Sequence, residues 1–148
     1  MEVTTLIPTV LTGLKIGYDL VKNTSVREVL KKKATGLINF VKDIIFEKDT
    51  DAQKALDEHQ KNPNNQILEG ELNVYLKTAL KTNEELQSKI IKILEELQKD
   101  FDNLPQETKT NIMKNVKGVG LMDINNSTII ISGVHVNKDD SQDKKTEN

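Results

Sequence analysis

The chain has 148 residues, of which 36% are apolar, 30% charged and only 3% aromatic, with no cysteine, no tryptophan and two histidines. That is the size of one domain with an appended tail, and the composition excludes a disulfide framework, a cysteine–zinc site and a cysteine nucleophile. A net charge of −2 offers no basic excess for nucleic acid.

Charge is segregated along the chain. Residues 1–46 hold seven Lys or Arg against four acids, a balance of +3, and residues 47–100 hold eight Lys against twelve acids, a balance of −4. The stretch 3–21 is the most apolar, yet Lys15 and Asp19 interrupt it. No run of about 18 uncharged apolar residues exists, so a constitutive membrane span is not expected. The start has no positive n-region and no small-residue cleavage site, so a secretory signal is not expected and a cytoplasmic location is the default.

The first helix is predicted from about Thr5 to Lys22, with Pro8 in its first turn, where a missing N–H costs little. Leu6, Val10, Leu14 and Val21 share one face, with Ile7, Leu11 and Tyr18 beside it. Gly13 and Gly17 form a small-x-x-x-small pair, which lets helix backbones approach closely in a tight bundle or in lipid. In the second case Lys15, Lys22, Lys31, Lys32 and Lys33 would face anionic headgroups, each worth about 1 kcal/mol near such a surface.

A second helix is predicted to start after Thr24 or Ser25, with Glu28 completing a capping box from Ser25, and to run to Glu47. Its stripe is Val26, Leu30, Leu37, Val41, Ile44 and Ile45. Asp49, Thr50 and Asp51 break the pattern and cap a third helix, Ala52 to Lys61. Residues 62–65, Asn-Pro-Asn-Asn, form a turn. A fourth helix, Gln66 to Leu80, points Leu68, Leu72, Tyr75, Leu76 and Ala79 inward. Thr82 or Asn83 caps a fifth, which carries Leu86, Ile90, Ile93, Leu94 and Leu97 and ends near Asp100. Five amphipathic helices with short connections read as an α-helical bundle over residues 1–105.

Residues 106–114 are polar and read as a linker or a last helical turn. Residues 115–136 are rich in Val, Ile and Gly, with two apolar runs flanking Asn125-Asn126, a β-hairpin or β-arc pattern. Within them Ser127-Thr128-Ile129-Ile130-Ile131-Ser132 is short, β-branched, uncharged and free of proline, the signature of a segment that stacks on copies of itself. Two strands alone are marginal in water and need a partner: the bundle, a second copy or another protein. Val119, Leu121, Ile124, Ile129, Ile130, Ile131 and Val134 are the candidate self-assembly residues. Residues 137–148 are polar and charged and read as a disordered tail.

Catalytic patterns are not evident. Gly-Val-Gly at 118–120 lacks the Lys and Ser/Thr of a phosphate loop, and there is no His-Glu-x-x-His. Asp57-Glu58-His59 sits on an acidic helix and reads as a solvated face, and His135 has no partner in sequence. No catalytic, cofactor or metal residue is assigned, and the chain is not expected to be an enzyme.

The apolar, glycine-containing first helix, the basic second helix (Arg27 to Asp43), the element Leu56-x-x-His59-x-x-x-Pro63 and the two leucine-patterned helices that follow resemble the Bell domain. That family is a bacterial counterpart of the fungal HeLo-like cell-death domains. The likeness spans about 130 residues. It implies a membrane-targeting cell-death effector in bacterial antiviral immunity, with an amyloid-signalling motif at 115–136 that takes its template from an NLR-type receptor. By the same resemblance the bundles cluster and the first helix attacks the inner leaflet of the cytoplasmic membrane. Leu6, Ile7, Val10, Leu11, Gly13, Leu14, Gly17 and Tyr18 are its candidate membrane-contacting residues. The rival reading from the residues is a soluble adaptor whose bundle binds a partner and whose β tail forms a discrete oligomer.

Overall fold

The computed structural model describes residues 3–116. They form α1 (Val3–Lys22), α2 (Glu28–Asn39), a π-helical turn (Phe40–Ile45), α3 (Thr50–Lys61), α4 (Gln66–Leu80), α5 (Glu84–Asp102) and α6 (Gln106–Asn115). Among the described residues the fold is mainly α, with six α-helices rather than five. The β segment expected at 115–136, all the self-assembly residues and the tail lie outside the described residues, apart from Asn115 and Val116.

The centre of the bundle is α1. It packs on α2, α4, α5 and α6, and twelve of its twenty residues are buried. Such a helix, apolar nearly all round, belongs at the middle of a fold rather than on its surface. Leu6, Val10, Leu14, Ile16 and Leu20 are fully enclosed. Each such side chain contributes about 2 kcal/mol through the area it removes from water. The helix begins at Val3, so Pro8 lies inside it rather than in its first turn. Pro8 is exposed, near the end of the element. The Thr9 hydroxyl donates to the Thr5 carbonyl at 3.1 Å in the same stretch.

Several caps follow local chemistry. Asp49 accepts from the Ala52 N–H at 3.0 Å, Asn65 from Ile67 and Leu68, and Asn83 from Leu86. Each satisfies donors that the first turn leaves orphaned. The Ser25–Glu28 capping box does not form. Asn23 instead closes a turn within the preceding loop, accepting from the Ser25 N–H at 2.8 Å, and α2 starts later than the pattern suggested, after Arg27, with no side-chain cap.

The long second helix is also interrupted. At Phe40–Ile45 the backbone widens to π geometry, closed by the Phe46 N–H donating to the Val41 carbonyl at 2.9 Å. The Gln53 side-chain amide of α3 donates to the Lys42 and Phe46 carbonyls at 3.1 and 3.0 Å, satisfying acceptors that the ending helix would strand. The extra residue in the turn rotates the stripe. Val41, Ile45 and Phe46 are buried, while Ile44, expected inward, is 46% exposed. Phe46 then meets Tyr75 edge to face at 6.2 Å.

Residues 106–114 are not a linker. They make up most of α6, whose Ile112 and Met113, with Val116 after it, are buried against the bundle. The physical reason is coverage: α1 is apolar on several sides, and α6 closes one of them.

Candidate functional site

All eight first-helix residues singled out for lipid contact are buried in this fold: Leu6, Ile7, Val10, Leu11, Gly13, Leu14, Gly17 and Tyr18. Gly17 faces α2. A Cβ there would meet the Ala34 carbonyl oxygen at 3.7 Å and the Ala34 Cβ at 3.8 Å, ordinary van der Waals contact, so Gly17 lies close against α2.

Along this enclosed helix runs a seam of polar groups. Lys15, only 6% exposed, pairs with Glu69 of α4 at 2.7 Å. One turn on, the Tyr18 hydroxyl lies 2.8 Å from His59 Nδ1 of α3, and the two rings meet edge to face at 5.3 Å and 68°. Next to it, Asp19 Oδ1 accepts from the Asn115 side chain of α6 at 3.2 Å. The seam therefore fastens α1 to three other helices. Two of its atoms, His59 Nε2 and Asp19 Oδ2, are buried without a hydrogen-bond partner among the described residues. Buried polar atoms in that condition cost about 1–3 kcal/mol each.

Electrostatics match the geometry. Burial lowers the His59 pKa from 6.5 to about 4. The charge of Glu69 opposes that shift, Lys15 adds to it, and the Pro63 carbonyl lies near enough to favour the protonated ring without giving Nε2 a bond of normal geometry. His59 is thus neutral in the fold at physiological pH. Burial raises the Tyr18 phenol far above its usual range, helped by Asp57 and Glu69, so it acts as a neutral hydroxyl and not as a base. Burial also raises Asp19, against the Asn115 hydrogen bond and the Lys22 charge.

A raised carboxylate opposes folding above its unfolded pKa, because the unfolded chain sheds that proton first. Asp19→Asn keeps an acceptor for Asn115 and removes the charge. It is expected to raise the melting temperature at pH 7, with the gain shrinking on acidification. Thermal unfolding followed by circular dichroism at pH 7 and pH 4 measures it.

His59 corrects the reading of Asp57-Glu58-His59 as a solvated face. It is fully buried, while Glu58 beside it is exposed. The signal was available in the spacing: Ala52, Ala55, Leu56 and His59 fall at i, i+3, i+4 and i+7, and all four are buried. Lys15, Glu69 and Asn115 carried no such mark. Among the described residues no group of three or more His, Asp or Glu could hold a metal ion. The arrangement can fasten and release a helix: it offers hydrogen bonds and one ion pair between elements, and its two neutral rings lie enclosed.

No protein-family model, curated protein or solved structure matches the chain.

Proposed function

We propose that this protein is a membrane-targeting effector of bacterial antiviral cell death, held inactive by enclosure of α1 and switched on when residues 115–136 stack on copies of themselves. One observation supports the reading above others. The most apolar helix among the described residues is wrapped on several sides and fastened by polar contacts, two of whose atoms lack partners there. Such contacts hold a helix in water yet leave it a smaller cost of departure than a wholly apolar seam.

No helix of the described residues is long and apolar enough to cross a membrane. The released α1 would then lie in the headgroup region, with Leu6, Ile7, Val10, Leu11 and Leu14 toward the acyl chains. Stacking of the 115–136 segment would concentrate many such helices at one place on the inner leaflet, as multivalent linkage does. An NLR-type receptor carrying a matching segment would supply the template.

Four large apolar side chains, Val29, Ile44, Ile67 and Val74, are 46–75% exposed. They favour a second reading, in which the bundle is an adaptor that docks a partner without membrane action.

Ile130→Asp in the whole chain separates the two. It places a charge in the candidate stacking segment, which lies outside the described residues. The expected result is loss of membrane depolarisation in expressing bacteria, read with a potential-sensitive dye, and an unchanged melting curve. Continued depolarisation by this variant overturns the stacking trigger. A wild-type chain that oligomerises yet never depolarises cells or leaks liposomes selects the adaptor.

A further inference from the structure

Three of the four exposed large apolar residues, Val29, Ile67 and Val74, fall on two separate faces whose charges suit each other. One face is a groove of about 510 Å³ at the start of α2, lined by Arg27, Val29, Leu30, Leu104 and Pro105 among others. Val29 is 62% exposed on its edge. Asp100 also lines it and is paired with Lys33 at 2.7 Å, and the other charges at this end of α2 are Arg27, Glu28, Lys31 and Lys32, a balance of +2. The groove is therefore apolar with a basic margin.

The other face is a ridge on α4. Ile67, Glu71 and Val74 lie at i, i+4 and i+7, one stripe of the helix, and all three are exposed. Ile67 is 75% and Val74 62% exposed. The hollow beside Val74 brings in Asp51 and Glu58 from α3 together with Glu71, with Lys54 the cation there. The ridge is therefore apolar with an acidic margin.

We propose that the α4 ridge of one copy seats in the α2 groove of the next, a head-to-tail contact between bundles. Ile67 and Val74 enter against Val29 and Leu104, and Glu71, Asp51 and Glu58 face Arg27, Lys31 and Lys32. The two surfaces are different patches of one chain, so the contact does not close on itself in a two-fold dimer. It propagates as a ring or an open filament. Opposite charge at the margins sets orientation and speeds encounter, and makes the contact weaken with salt. This contact is separate from the stacking of residues 115–136, and it fixes how neighbouring bundles are placed once they are brought together.

The test uses the full chain carrying Ile130→Asp, so that the stacking segment is silent. Two further variants are built on it: a groove variant with Arg27→Glu and Val29→Glu, and a ridge variant with Ile67→Asp and Val74→Asp. Arg27, Val29, Ile67 and Val74 are all exposed, and circular dichroism melting confirms that each protein folds. Sedimentation velocity of the parent is expected to show concentration-dependent growth beyond a dimer at about 0.05 M salt, reduced at about 0.5 M, where screening is short-ranged. Each variant alone should associate at least about tenfold more weakly. An equal mixture of the two should form dimers and stop, since one intact groove meets one intact ridge and the altered pair repels. A parent that stays monomeric, variants that associate like the parent, or a mixture that forms either no dimer or long chains each overturns the proposal. None of these results touches the depolarisation assay with the wild-type chain, so failure here and failure of the membrane reading are distinguishable.

Discussion

Leu14→Ala is expected to destabilise the bundle by about 3–4 kcal/mol. The side chain is fully enclosed and sits in the core where α1 meets its neighbours. Removing its outer carbons forfeits their burial and leaves a cavity that a helix packed on several sides cannot collapse to fill. A domain of this size holds roughly 5–15 kcal/mol in total, so the loss is a large part of its stability. Chemical denaturation at pH 7 would measure it as a lower midpoint with an unchanged slope. The functional corollary concerns the threshold rather than the mechanism. If enclosure of α1 holds the effector inactive, the same variant should depolarise cells at lower expression than the wild type. A variant that is destabilised and less toxic would instead mean that α1 acts only within the folded bundle.

The second large effect is acid sensitivity at the seam. His59 is neutral in the fold, with its pKa lowered to about 4, against about 6.5 in an unfolded chain. Its contribution to stability is fully present above pH 6.5. It is lost as pH falls from 6.5 to 4, because over that window the unfolded state binds a proton that the folded state refuses. The shift corresponds to a loss on the order of 3 kcal/mol across the window. Asp19 works in the opposite direction, since its raised pKa makes the fold gain relative stability as acid neutralises it. The two are separated by substitution.

His59→Phe combined with Tyr18→Phe removes both partners of the 2.8 Å contact and leaves two rings of similar shape. Replacing both ends of a buried hydrogen bond in this way is close to neutral, whereas removing one end strands the other. The double variant should therefore match the wild type within about 1 kcal/mol at pH 7 and exceed it by pH 4.5. Denaturant unfolding at several pH values is the measurement. Parallel pH curves for the two proteins would show that His59 does not carry the acid response. His59→Phe alone should be less stable than the double variant, because Tyr18 would keep a buried hydroxyl with no acceptor.

Much of the scaffold was legible before any coordinates. The helix Gln66–Leu80 lies where its spacing and the preceding turn place it, and Asp49 and Asn83 act as caps as their positions indicated. Of the α5 stripe, Ile90, Leu94 and Leu97 are fully buried, and Leu86 and Ile93 are half-buried against the core. Such features depend on side chains within one or two turns of each other, and the helical period is enough to find them. The second helix shows where this fails. Its apolar stripe was continuous, but a π turn at Phe40–Ile45 re-aimed Ile44, and the stabilising amide came from Gln53 on the next helix. Residues 106–114 offer no more than a linker or one last helical turn, because only Ile112 and Met113 are apolar within them. Two buried side chains suffice when a central helix needs one more side covered.

The sequence by itself determined the helical class, four of the helix positions to within a few residues, and the apolar character that sends α1 to the centre. Each of these is local, set by the period of the chain and the chemistry of its caps. Only the tertiary structure decided that His59 is buried against Tyr18, 41 residues away, and that Asn115 reaches Asp19, 96 residues away. It also decided that Lys15 survives inside the bundle by meeting Glu69. A side chain's type is written in the chain, but its neighbours are chosen by the packing of whole helices, and it is the neighbours that set whether a buried polar group is satisfied or under strain.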